Sequence, residues 1–326
     1  MASSSSEKAL EGKYTYVEHI ADTLYGEACR VRCEKTNQML FAKISYWAYY
    51  KAKHAKVAFD EPLAEAKTME ALKGTASIVP LLDALSNETA FTIITPYYAG
   101  GDLFEVVAGR SLSNKEIVVL FGQILSAVLA LKERDVVNID LSLENIIVET
   151  AGSPEHPEKW RVRLIDLGST CKTKYTEDEF KKRFVIGCGP GKPIYMPPEA
   201  SSYNYTTGST LMWDPLAQQV WSLGSLLYIL TMGAFFVETR KDGSRYFGEG
   251  YRVVLSGRWR TTGAHYSHKL GRDTDLLDFI DRTIKPLDKR ITFDALLNDP
   301  WVKNLGLTVK PSGAAAMDTV DKLPLP

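Results

Sequence analysis

Cysteine and histidine are scarce in this chain: 326 residues carry four of the first and five of the second. Four thiols do not make a disulfide framework for a chain this long, so a reducing compartment is expected. Strand alternation puts Cys29, Val31 and Cys33 on one face, but no histidine or further cysteine lies near them in sequence. They therefore read as small hydrophobes under a sheet and not as metal ligands. An excess of charge of one sign is also missing. Lysine and arginine number 39 against 40 acidic residues, so net charge is −1, which gives no ground for binding nucleic acid or an acidic membrane surface. No apolar run approaches the roughly 20 residues that span a bilayer. Residues 1–13 are small and polar, without the apolar segment of a secretory signal. A cytoplasmic protein with no membrane-spanning segment is expected, with export by an unconventional route left open.

What is present is ordinary globular composition, 45% hydrophobic and 24% charged, and enough length for one large domain or two lobes. Aromatic and β-branched residues alternate with polar ones through residues 14–17, 29–33 and 39–43, and two more strands are expected at 78–82 and 91–95. Between the third and fourth strands Pro62 opens a helix with Leu63, Met69 and Leu72 on its apolar face. From Ser113 the pattern turns helical. Ser113-x-x-Glu116 is a capping box, and Ile117, Leu120, Ile124, Val128 and Leu131 recur at helical spacing. Residues 220–230 are apolar nearly all round, the mark of a fully buried helix. Helices over 274–284 and 293–297 close the ordered chain.

The stretch 138–168 organises the rest. It reads Asn138-Ile139-Asp140-Leu141-Ser142-Leu143-Glu144-Asn145, then two short apolar strands around a polar turn, then Asp166-Leu167-Gly168. Phosphoryl transfer needs this set: a carboxylate to orient an incoming hydroxyl, and an amide and a second carboxylate to hold divalent metal against phosphate. Asp140-x-x-x-x-Asn145 followed by Asp166-x-Gly168 resembles the catalytic and metal loops of eukaryotic protein kinases. Tyr195-Met196-Pro197-Pro198-Glu199 resembles the family's Ala-Pro-Glu closure, with Arg290 at the place of its distant partner.

The resemblance implies an α+β, two-lobed kinase fold: a five-stranded antiparallel N-lobe with one helix over residues 14–95, and a mainly helical C-lobe over 96–308. Residues 1–13 and 309–326 are expected to be a disordered N-terminus and a flexible tail. It implies an ATP-dependent transferase, with Mg²⁺ or Mn²⁺ as cofactor and protein serine/threonine hydroxyls as substrate. Asp140 would orient the hydroxyl, and Asn145 and Asp166 would hold metal. Lys43 would reach the nucleotide phosphates, with Glu65 as its ion-pair partner ahead of Glu61 and Glu70. Gly26 is what remains of the glycine-rich turn, Thr95 stands at the gatekeeper position, and Tyr98 offers a hinge amide to adenine. Phe41 two residues before Lys43, the poor glycine turn and Gly191-Lys192 resemble, more narrowly, the FIKK serine/threonine kinases of apicomplexan parasites.

The chain also departs from the family. Asn138-Ile139 replaces His-Arg, so a phosphate on the activation segment loses its usual anchor. Gln219 stands where an aspartate normally holds the catalytic-loop backbone. Ser142 replaces the catalytic-loop lysine, while Lys192 replaces the threonine that such a lysine contacts. Either the two have exchanged places, hydroxyl for amine, or Lys192 is a solvated loop residue. A pseudokinase that keeps the fold without turnover is the main rival reading, and a small-molecule kinase the second.

Overall fold

The computed structural model describes residues 4–53, 61–174, 191–201, 214–239, 245–246, 248–262 and 273–307. The expectation for the tail over residues 309–326 lies outside the described residues. The chain divides into two compact units, one running to Ala99 and taking in Asp166–Thr170, the other comprising Gly100–Ile165 and continuing from Cys171.

The first unit is built on strands β1 (Tyr14–Thr23), β2 (Gly26–Cys33), β3 (Met39–Tyr46), β4 (Asp83–Ser86) and β5 (Ala90–Pro96). They pair antiparallel in the order β1-β2-β3-β5-β4. The fourth strand starts later than residues 78–82 suggested. Pro80 has no amide hydrogen to give a ladder, and pairing to β5 begins with the Leu82 amide on the Ile94 carbonyl. Register fixes the two faces of the sheet. Ala28 lies opposite Lys43, Phe41 opposite Thr95, and Lys43 opposite Ile93, so these residues share one face. Cys29, Val31, Leu40, Ala42, Ile44 and Ile94 occupy the other and are buried.

That second face is covered by residues 4–10, which corrects the expectation of disorder for the described part of residues 1–13. Helix α1 (Ser4–Ala9) lays Ala9, followed by Leu10, onto the face; both are fully buried. Thr92 Oγ1 donates to the Ala9 carbonyl at 3.2 Å and Asn87 Nδ2 to the Lys8 carbonyl at 3.0 Å. Ser6 Oγ donates to Glu27 Oε1 at 2.7 Å, and Tyr46 donates to the same oxygen at 2.6 Å. Burial works to raise the Glu27 pKa, but hydrogen bonds from Tyr46, Ser6, His19 and Tyr16 together outweigh it and hold the carboxyl below its ordinary value. One apolar pair in a serine-rich stretch is too short to show periodicity, which is why the sequence hides this helix.

Two further helices flank the sheet. Helix α2 (Trp47–Lys53) continues directly from β3 and was not foreseen; Trp47 Nε1 donates to the Asn87 carbonyl at 2.8 Å. Helix α3 (Pro62–Ala71) begins with proline, whose missing amide costs nothing in a first turn. It buries Glu65, Ala66 and Met69.

The second unit is organised around two long helices. Asn114–Lys132 carries the expected capping box. Glu116, fully buried, accepts the Ser113 amide and hydroxyl at 2.9 Å each and Trp160 Nε1 at 3.2 Å. This helix is apolar enough by length and composition to cross a membrane, yet 61% of it is buried in the chain's own core. Pro215–Met232 is buried along nearly its whole length. The strands Ile146–Thr150 and Arg161–Leu164 pair with Ile146 opposite Leu164. Glu199 and Arg290 meet as the sequence suggested, in a two-pronged pair at 2.5 and 3.1 Å with the arginine side chain almost wholly buried.

Candidate active site

In the first unit, Lys43 leaves β3 on the sheet face that also carries Phe41 and Thr95. Its Nζ lies 2.8 Å from Glu65 Oε2 on α3 and 2.8 Å from Asp166 Oδ1. Glu65 is 3% exposed, and its other oxygen accepts the Leu167 amide at 3.2 Å. One glutamate therefore positions the lysine and ties down the loop that follows Asp166. The amide of Glu61 reinforces this by donating to the Gly168 carbonyl at 3.1 Å. Asp166 itself sits at φ 56°, a left-handed conformation that only Asn and Asp among residues with a Cβ visit readily. The aspartate's turn thus aims its carboxylate at Lys43.

The other nucleotide-side candidates occupy distinct places. Thr95 is buried on β5 directly across from Phe41, so a large ring and a small hydroxyl stand side by side. Tyr98 lies in the segment after β5. Gly26 opens β2, paired to Thr23 on one side and Ser45 on the other. A Cβ there would strike the Ile44 carbonyl, so the glycine is required by close packing of two strands. The hairpin turn itself is only Leu24-Tyr25, with Tyr25 buried.

In the second unit, Asp140, Ser142, Asn145 and Lys192 form one hydrogen-bonded group. Asp140 Oδ1 accepts the Lys192 amide at 2.8 Å, and Oδ2 accepts Asn145 Nδ2 at 3.0 Å. Asn145 Nδ2 also donates to the Asp140 carbonyl at 2.8 Å. The Lys192 ammonium donates to Ser142 Oγ at 2.7 Å and to Asn145 Oδ1 at 3.0 Å. Gly191 makes the approach possible: its φ is +102°, and a Cβ would collide with the Ile139 carbonyl. Lys192 is therefore in contact with the catalytic loop and not a solvated loop residue.

Two positioning contacts went unread in the sequence. Tyr195 donates to Glu144 Oε2 at 2.9 Å and receives the Leu143 amide at 3.4 Å, which latches the 191–199 segment to the loop. Burial, then the Glu144 charge, raises the Tyr195 pKa far above the ordinary tyrosine value, so the phenol stays protonated. The second contact corrects an expectation. Gln219 does not hold the catalytic-loop backbone; among the described residues its buried amide has no partner on either atom. Gln218, about 100° round the helix, donates Nε2 to the Ile139 carbonyl at 2.8 Å. An aspartate can only accept and would hold backbone amides, whereas the glutamine amide holds a carbonyl.

Among the described residues no three His, Cys, Asp or Glu side chains cluster to cage a metal. Asp166 keeps its side chain 40% exposed while Lys43 holds one oxygen, and a single such carboxylate suits Mg²⁺, which keeps its waters and takes most other ligands from substrate phosphates.

A family model of the protein kinase domain matches residues 14–302. The chain is 27% identical to CBL-interacting protein kinase 31 of Oryza sativa subsp. japonica over 70% of its own length and 44% of that protein's. Over 75% of this chain and 65% of the relative it is 27% identical to serine/threonine-protein kinase SAPK1 of the same plant. It is 28% identical to death-associated protein kinase 2 of Homo sapiens over 69% of this chain and 54% of that protein. The matched stretch thus spans roughly half to two-thirds of these relatives. With a sheet that presents a lysine to a helix glutamate, and a loop that joins aspartate to asparagine five residues on, the match over nearly the whole described chain makes this a member of the protein kinase domain family.

Proposed function

We propose that the chain transfers the γ-phosphoryl group of ATP to serine and threonine hydroxyls of protein substrates. The observation that carries this reading is Asp140, whose two oxygens are each held by a donor, Lys192 N–H and Asn145 Nδ2. A carboxylate so fixed can receive the hydroxyl proton as the substrate oxygen attacks the γ-phosphorus. The bond from that phosphorus to the β-phosphate oxygen breaks, ADP leaves, and the proton remains on Asp140. Lys43, set by Glu65, binds phosphate oxygens, and Thr95 and Tyr98 border the adenine. Asp166 would hold divalent metal, which would supply charge to neutralise the phosphates. Serine and threonine are favoured by the name of the rice relative SAPK1, a serine/threonine-protein kinase. Phe41 and Gly191-Lys192 support the narrower placement near the FIKK kinases.

A second reading, a nucleotide-binding protein without turnover, is favoured by the tight β1–β2 hairpin, which offers no run of glycine amides to phosphate. Purified protein incubated with γ-labelled ATP, Mg²⁺ and a degenerate peptide library separates the two. Label recovered as phosphoserine or phosphothreonine supports the enzyme. Nucleotide-dependent stabilisation with no peptide labelling would leave the binding protein.

A further inference from the structure

The ammonium of Lys192 sits 3.0 Å from Asn145 Oδ1, the oxygen that protein kinases use for a second metal ion. The orientation of that amide is not arbitrary. Its Nδ2 faces two oxygens of Asp140 and its Oδ1 faces an ammonium; turning it over would set donor against donor and acceptor against acceptor. Ser142, fully buried, gives its hydroxyl oxygen to the same ammonium. Both partners of the cation are neutral. No carboxylate oxygen lies within 4 Å of it among the described residues, and one of its three N–H donors is uncommitted. Among the described residues the cation thus has no direct carboxylate partner, and the nearest one it is linked to, Asp140, is reached through the Asn145 amide.

We propose that the Lys192 ammonium replaces the metal ion that Asn145 would otherwise bind, so that this kinase works with one divalent metal per nucleotide. The inference rests on the phosphoryl-transfer reading and deepens it. Magnesium requires an oxygen at about 2.1 Å in octahedral geometry. An ammonium already bonded to that oxygen blocks the approach and repels a second cation. The lysine supplies fixed charge on a four-carbon stem, and its remaining N–H has no acceptor among the described residues and suits a phosphate oxygen. The ammonium keeps all three protons and forms no covalent bond.

The test is manganese stoichiometry, read by the paramagnetic resonance of free Mn²⁺ during titration in the presence of a non-hydrolysable ATP analogue. The wild-type chain should bind one Mn²⁺ per nucleotide, and Asn145→Ala should leave that at one. Lys192→Met should bind two, falling to one when Asn145→Ala is added. Two ions on the wild type, with one lost in Asn145→Ala, would overturn the proposal even if Lys192→Met failed to fold. Failure of the wild type to bind the analogue at all, measured by calorimetry, would instead strike the phosphoryl-transfer reading.

Discussion

Lys43 and Glu65 are a buried ion pair, 13% and 4% exposed in their side chains. Removing one partner of such a pair strands the other charge and costs about 3–5 kcal/mol. Lys43→Met should therefore lower stability in urea by that order, and Lys43→Met with Glu65→Leu should recover much of it. Equal stability of wild type and Lys43→Met would mean that the pair is hydrated. Gly191→Ala should act on turnover, because the added methyl group must push residue 191 away from the Ile139 carbonyl. The Lys192 amide would then leave Asp140. Turnover should fall at least about tenfold, as displaced catalytic contacts do, and the melting temperature should fall as well, because alanine is strained at φ +102°. Residues of this kind were legible in the sequence because phosphoryl transfer restricts them to a few types at fixed spacing. Gln218 was not legible: two adjacent glutamines look alike in sequence, and only the helix phase decides which amide faces the loop.

At the scale of elements, the helix Pro215–Met232 and helix α1 carry the clearest expectations. Gln219 buries an amide that has no partner among the described residues, a burden of about 1–3 kcal/mol. Gln219→Leu should be neutral or stabilising in thermal denaturation, while Gln218→Leu should destabilise and slow turnover by freeing the Ile139 carbonyl. The reverse ranking would show that the Gln219 amide is the working contact. Helix α1 should respond to acid. Glu27 has a lowered pKa in the folded chain, so its contribution is full above the ordinary glutamate value of 4.5 and is lost as pH falls through the folded value. Pairing of Ser6 and Tyr46 with the carboxylate then weakens. Hydrogen-exchange protection of residues 4–10, corrected for intrinsic rate, should drop over that acid range and be low at all pH in Glu27→Gln. Protection independent of pH would contradict it. Strands with alternating patterns could be placed from sequence to within a few residues. Helix α1 could not, because two apolar residues define it and the sheet face it covers exists only after folding.

For the whole molecule, the fold class was readable because its two units use different periods. Alternation runs through the sheet, and helical spacing runs through Asn114–Lys132 and Pro215–Met232. The Glu199–Arg290 pair joins positions 91 residues apart, and a motif at each end made it expected. Arg290→Ala should destabilise the second unit by about 3–5 kcal/mol, since Glu199 would be left without its partner. The central claim is that Asp140 makes the chain a phosphoryl transferase and not only a nucleotide binder. Its direct test is single-turnover transfer from γ-labelled ATP to a library-selected peptide, compared between wild type and Asp140→Asn, with nucleotide affinity measured on both. The account predicts transfer in the wild type, a loss of about 100-fold or more in Asp140→Asn, and nucleotide affinity within a few-fold. Equal transfer by the two proteins, or none by either while both bind nucleotide, would contradict it.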